Sequence, residues 1–447
     1  MTDARLLWLA GGAVLALAAC SDDGPVSRDT EDADVTDATV ADVGPEGADT
    51  ADDGATPGAD ADADAGVDND ADAVATDPVQ LRVATFNASL FRDAPGALAA
   101  DLAAGDPQAL RVVETLQRVR PDVVLINEFD RDETAAEAFI ALLAEPVGDD
   151  PGLAGLVSVL PASNTGVPSG VDLDGNGTVA DEPGTADWGG DAFGFGTFEG
   201  QYGLLVLSRY PIDTDAIRTF RTLRWADMPD ALLPTDWYSA EAVEVLRLSS
   251  KNHVDVPIDV AGHTLHILAS HPTPPSFDGD EDRNGRRNHD EIRFWVDYLT
   301  GADRAAWITD DDGVAGGLDA DAAFVVLGDL NSDPVDGDSR HRAIRDLLAH
   351  PRVIDPVPTS DGAAEATLRD GGANQGHDGD PALDTADFSD GRVGNLRLDY
   401  ALPSSNTRVD DAGVFWPTAD SPDVDLDAAS DHHLVWVDLT LGAPDES

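Results

Sequence analysis

Acid, amide and imidazole side chains recur where apolar, strand-like stretches of this chain stop: Asn87, Glu128, His271, Asp329, Asn331, Asp399, Asp431 and His432. One carboxylate at a strand end is ordinary. Eight such groups on seven strand ends gather hard oxygen donors and imidazoles along one sheet edge, where α/β proteins bind ligands. Carboxylate and amide oxygens of this kind suit Mg²⁺, which binds through one or two carboxylates plus substrate phosphate; Mn²⁺ or Ca²⁺ would serve as well. Imidazoles move protons near neutral pH. Together they fit attack of water on a phosphorus centre, whose oxygens must be neutralised before a nucleophile can approach.

The elements that must hold these groups are legible in outline. Leu81–Asn87 alternates and then stops, as a strand does. Residues 108–120 place Leu110, Val113, Leu116 and Val119 at helical spacing, and Pro121 ends that helix. Residues 122–128 form a strand delivering Glu128 at its end. Further strands are expected over 203–209, 244–249, 263–271, 323–329, 397–402, 410–416 and 433–439, and a helix over 289–300. Strands outnumber helices and mix with them, which predicts sheets packed as a sandwich with helical outer layers. There is no internal repeat. Segments 146–201 and 273–288, rich in Gly, Asp and Asn, read as long loops, which in compact domains are usually functional.

The ordered blocks ATFN, LINEFD, LASHP, LGDLNSDP, LRLDY and SDHH resemble the endonuclease/exonuclease/phosphatase superfamily, also called deoxyribonuclease-I-like, over roughly residues 80–440. The resemblance implies an α/β (α+β) four-layer sandwich of two packed mixed β-sheets flanked by helices. It implies a metal-side pair in Asn87 and Glu128, and a water- and phosphate-handling pair in Asp329 and Asn331. It further implies Asp399 as the acid holding the catalytic imidazole, Asp431–His432 as the terminal dyad with Asp431 an outer metal ligand, and His271 as a second histidine. Each position has a plainer reading: Asn87 as a turn residue, Glu128 as a solvated strand end, Asp329 and Asn331 as an Asx-turn, and His271 as a loop histidine before Pro272. His433 competes with His432 for the catalytic role. Some members carry an acid two residues after the first Asn; here Ser89 stands there, which puts a second metal in doubt.

Composition bounds the partners. The chain has 447 residues, with 87 acidic against 27 basic side chains for a formal charge of −60, and one cysteine. A duplex-DNA reader with a basic face is disfavoured, and a disulfide scaffold is excluded. One lysine stands against 26 arginines, the signature of a GC-rich genome or of salt adaptation. Residues 6–19 form an apolar run too short to cross a membrane and fit for a secretory leader. With Leu17-Ala-Ala-Cys20 they predict a lipoprotein signal peptide over 1–20, Cys20 being lipidated. Residues 21–78, without an aromatic, cannot bury enough apolar surface to fold and read as an acidic tether. The first 78 residues carry a net −18, so the catalytic domain expected over 79–442 remains near −42 on its own.

Two loops invite further ligands. Asp172, Asp174 and Asn176 open like a calcium loop, but its twelfth position is Pro183 rather than a glutamate. Asp280–Glu291 ends correctly, yet Arg283, Arg286 and Arg287 oppose a cation; this segment reads instead as a phosphate-binding loop. Lys251 and His253, and more weakly Asn164 and Gln201, are further cleft candidates, Lys251 as a phosphate contact. The expectation is an exported, lipid-anchored, monomeric phosphoester hydrolase. The alternatives are a secreted nuclease acting on DNA or RNA and a non-catalytic, surface-anchored ligand- or calcium-binding protein.

Overall fold

The computed structural model describes residues 77–148 and 150–442. The leader, Cys20 and nearly all of the tether lie outside the described residues. From the N-terminal side come β1 (Val79–Asn87), α1 (Ala97–Ala104), α2 (Pro107–Val119), β2 (Val123–Phe129), α3 (Glu133–Ala144), β3 (Val157–Val159), α4 (Ala186–Gly190), β4 (Gly203–Ser208) and β5 (Arg218–Thr219). These are followed by α5 (Ala240–Val245), β6 (His253–Val260), β7 (His263–Ser270), α6 (Arg283–Thr300), β8 (Ala323–Asp329), α7 (Arg342–Leu348) and α8 (Asp361–Asp370). The last strands are β9 (Ala386–Asp387), β10 (Asn395–Leu396), β11 (Asp399–Pro403), β12 (Arg408–Phe415) and β13 (Leu434–Leu441).

Two mixed sheets form the centre. One runs β12-β13-β1-β2-β4-β3 and the other β11-β8-β7-β6-β5, with β9 and β10 as a separate pair. β1 lies parallel to β2 and β7 parallel to β8; their neighbours are antiparallel. The two-residue period of a strand divides the apolar side chains between layers. Leu81, Val83, Val123, Leu125, Leu204 and Val206 of the first sheet meet Val254, Val256, Leu265, Ile267, Val325 and Leu327 of the second. The alternate residues Ala84, Phe86, Val124, Ile126 and Leu205 pack outward under α1, α2 and α3 through Leu98, Val112, Leu116 and Phe139. On the far side Leu268, Phe324 and Val326 pack under Phe294, Trp295 and Tyr298 of α6 and Ile344 and Leu347 of α7. The expected four-layer sandwich is the observed one.

Local chemistry sets the helix ends. α2 starts with Pro107 behind Asp106, whose carboxylate accepts from the Ala109 N–H, a standard N-terminal arrangement. Three expectations are corrected. Residues 244–249 are no strand: α5 takes the first two positions, and only Arg247 bridges to Arg224. β6 keeps the two-residue alternation, with Val254, Val256, Ile258 and Val260 in the core between the sheets, and escaped notice because Pro257 stands inside it, Pro being confined to edges or irregular pairings; here β5 covers only the Val254–Asp255 end of β6. α6 begins at Arg283, so the last part of the expected 273–288 loop is helix. Among the described residues, no helix is long and apolar enough to cross a membrane.

Candidate active site

The parallel pairs end together, and their ends carry the candidate residues. Asp329 closes β8 and is the hub. Its Oδ2 accepts from Asn87 Nδ2 at 3.0 Å and lies 3.3 Å from His271 Nε2 and 3.7 Å from His432 Nε2. Its Oδ1 accepts from the Asn331 N–H at 2.8 Å, so the Asx-turn reading holds for the backbone and coexists with the site. Asn331 takes a left-handed φ of 51°, and one N–H of its amide donates to the Pro272 carbonyl at 3.1 Å, leaving the other for a ligand. β8 can approach β7 only because residue 328 is glycine: a Cβ there would sit 2.1 Å from the Ser270 carbonyl oxygen. Asp329 is buried, yet His432, His271 and Asn87 hold its carboxyl below the usual range against the burial penalty.

The antiparallel register places Asp399 of β11 directly opposite Asp329. His432 sits between them, its Nδ1 donating to Asp399 Oδ2 at 2.8 Å. Burial disfavours the imidazolium, but Asp399 and Asp329 outweigh it and raise the His432 pKa well above its ordinary value. Asp399 itself is pushed up to about 6 by burial despite His432. Thr385 Oγ1 donates to Asp399 Oδ2 at 2.8 Å and fixes that carboxylate. Packing separates the two histidines: His433 stacks flat on Trp416 at 3.7 Å and pairs with Asp427 at 3.0 Å, away from Asp329 and Asp399. His271 is held neutral, its pKa lowered to about 4 by burial and by Lys251, with Asp329 opposing. Its Nδ1 is buried without a partner.

Glu128 sits at a break in the β2–β4 register with a left-handed φ of 59°. A bulge next to an active site redirects a side chain, and this one sets the carboxylate within electrostatic reach of Asp431, Asp329, His432 and Lys251. Burial first, then Asp431 and Asp329, push Glu128 up to about 7 against His432. No hydrogen bond to its side chain is found among the described residues. Such a crowded carboxylate, with the amide of Asn87 and the carboxylate of Asp431 nearby, is the donor set a hard divalent cation would relieve. Asp329, Asp399 and His432 also bring ligand atoms within 4.8 Å of one another. Ser89 cannot replace the missing acid: its hydroxyl is 3.1 Å from Ser430 Oγ and donates to Asp431 at 3.3 Å.

Several sequence candidates lie elsewhere. Arg287 is buried in α6 and donates to the carbonyls of Leu248, Phe193 and Arg247. Arg283 pairs with Glu281 and covers the Trp237 ring. Arg286 lies two residues from Asn288, nearly opposite on the helix, whereas Asn288 donates to the carbonyls of Thr273 and Leu330 beside the catalytic strand ends. The arginine loop is therefore a helix start in which Arg287 serves backbone carbonyls and Arg283 pairs with Glu281. His253 is a core histidine among Phe294 and Trp295, lowered to about 4 by burial. Gln201 bonds Thr197 and the Arg92 carbonyl, and Asn164 bonds the Arg221 and Ser249 carbonyls; both are struts. Lys251 alone of these cations faces the site, near Glu291, Glu128 and Asp329, its pKa lowered by burial. Asp172 and Asp174 meet Asp191, while Asn176 turns to Asp174 and Thr178; the carboxylates of Asp172, Asp174 and Asp191 are already capped by backbone N–H groups.

Sequence reasoning missed four supports. Asn127 accepts from the Asp329 N–H at 3.2 Å and donates to the Ser270 carbonyl at 3.2 Å, joining both sheets. Thr385 and Asn288 are described above. Glu291 is fully buried and accepts from the N–H groups of Ser250 and Thr273, each at 2.6 Å. For Asn127 an amide inside an apolar strand was the available signal, since such groups are kept only with partners; Thr385, Asn288 and Glu291 stand among polar neighbours and carried none.

The sequence profile of the Endonuclease/Exonuclease/phosphatase family matches residues 84–432. The chain belongs to this family. Its members are generally metal-dependent phosphoester hydrolases, and nucleases and phosphatases are among them. Similar solved structures include an endonuclease/exonuclease/phosphatase from Beutenbergia cavernae DSM 12333, 19% identical, covering 81% of this chain and 72% of that one with a TM-score of 0.46. A family protein from Leptotrichia buccalis C-1013-b is 15% identical over 80% and 98% of the two chains, with a TM-score of 0.42. The human Nocturnin catalytic domain is 12% identical over 81% and 96%, also at 0.42. No curated protein sequence matches the chain.

Proposed function

We propose that this protein is an extracytoplasmic, divalent-metal-dependent phosphoester hydrolase that uses an activated water. The observation that carries the reading is the convergence of Asn87, His271 and His432 on one oxygen of Asp329. Glu128 and Asn87, with Asp431 further out, would hold the cation, which when bound polarises phosphoryl oxygens and stabilises the leaving alkoxide. Asp329, kept ionised by its neighbours, orients the attacking water and draws off its proton. His432, kept charged by Asp399, donates to the phosphoryl oxygen on which charge develops. The free N–H of Asn331 donates to a second oxygen.

The acidity of the domain and the engagement of Arg283 and Arg287 favour a small phosphoester over long nucleic acid. Purified protein with Mg²⁺ is tested against bis-p-nitrophenyl phosphate, plasmid and phospholipid. Fastest turnover on the small diester supports the reading, and fastest plasmid cleavage replaces it with a nuclease. Activity on none of them, with Asp329→Ala behaving as the parent does, favours a non-catalytic binding protein. Cys20 would anchor the chain to a membrane through lipid; Cys20→Ser then moves the protein out of the membrane fraction, and unchanged partitioning removes the anchor from the reading.

A further inference from the structure

Lys251 is the single lysine of a chain with 26 arginines. Whatever bias replaced lysine elsewhere did not replace it here. It is also buried, and among the described residues its ammonium has neither a hydrogen bond nor an ion pair. An unpaired buried charge is costly and is retained only where something compensates it. Glu291, Glu128 and Asp329 favour its charge through space, yet none of the three pairs with it.

The backbone around Lys251 is fastened from several sides. Asn164 donates its N–H to the Lys251 carbonyl at 2.9 Å and its amide to the Ser249 carbonyl at 2.8 Å. Glu291 accepts the Ser250 N–H. Asn252 donates to the Ala162 carbonyl at 2.9 Å and accepts from the Phe220 N–H at 3.3 Å. Three otherwise separate segments thus hold one residue whose side chain lies by Glu128, Asp329 and His271. Ser89, bonded to Ser430 and Asp431, leaves the opposite side without the acid a second ion would need.

We propose that Lys251 is a catalytic residue whose ammonium binds a non-bridging oxygen of the substrate phosphoryl group, supplying the fixed positive charge that a second metal ion would otherwise bring. This rests on the hydrolase reading and deepens it: the phosphoryl group is held between one divalent ion and one ammonium. A compact, rotatable point charge is required, and the broad planar guanidinium is no substitute.

The solitary lysine makes the test specific. Full-length protein is reductively methylated under mild conditions, and modification of Lys251 is followed by peptide mass spectrometry, which separates it from the terminal amine. Inorganic phosphate without metal is expected to slow modification of Lys251 by a factor of 1 + [phosphate]/Kd, while chloride at equal ionic strength does not. Equal rates in both salts overturn the proposal. Lys251→Arg and Lys251→Met are each expected to lose at least ~10²-fold in kcat, the scale of one transition-state donor, with melting unchanged. An arginine variant within tenfold of the parent overturns the requirement for an ammonium. If the parent hydrolyses no phosphoester, the hydrolase reading falls, and the protection experiment still decides phosphate binding at Lys251.

Discussion

At the scale of single residues, the charges in this site alternate: Asp399, His432, Asp329, then the amide of Asn87. Removing a member leaves its neighbour buried and unpaired. Glu128→Ala and His432→Ala are each expected to lower turnover at least ~10²-fold, the low end for a positioned acid–base group; a loss under threefold contradicts the assigned roles. Glu128 also predicts a proton count. With its pKa pushed up to about 7 in the metal-free protein, it is mostly protonated at pH 6 and ionised at pH 8.5. Metal must displace that proton. Calorimetry in buffers of different ionisation enthalpy is expected to show close to one proton released per Mg²⁺ at pH 6 and close to none at pH 8.5. Glu128→Gln abolishes the difference; release independent of pH would remove Glu128 from the metal site.

At the scale of elements, strand ends were legible and supports were not. The blocks ending at Asn87, Glu128, His271 and Asp329 announce themselves because an apolar run stops on a polar residue. Asn127 does not, since it sits one residue before Glu128 and looks like part of the same ending, although it ties β2 to both β7 and β8. The arginines of α6 misled because spacing alone cannot tell a Gly- and Asn-containing loop from a helix start, and only the carbonyls of Leu248, Phe193 and Arg247 show where Arg287 is used. Gly328 is the sharpest element-level constraint. Gly328→Ala is expected to destabilise by more than ~2 kcal/mol, measured by urea unfolding, because the methyl meets backbone that cannot yield. Gly376→Ala, where nothing lies within 4 Å, is expected to stay within ~0.5 kcal/mol. Equal effects at the two positions would refute the close-approach argument.

At the scale of the molecule, the fold class was readable because alternation and helical periodicity survive in every layer, whereas the pairing of strands from distant parts of the chain was not. β13 lies beside β1, though more than three hundred residues separate them in sequence. That pairing brings His432 to the same edge as Asn87, and Asp329 reaches it from the other sheet. Each sheet therefore owns an incomplete set of reactive groups, joined across the seam by the Asn87–Asp329 and Asn127–Ser270 hydrogen bonds. A slight parting of the two leaves, too small to wet the core, would already disconnect water from phosphorus. Catalysis should accordingly fade at lower urea than far-UV ellipticity does, making turnover a gauge of how tightly the sandwich is shut; coincident transitions would mean that the leaves never separate before they unravel.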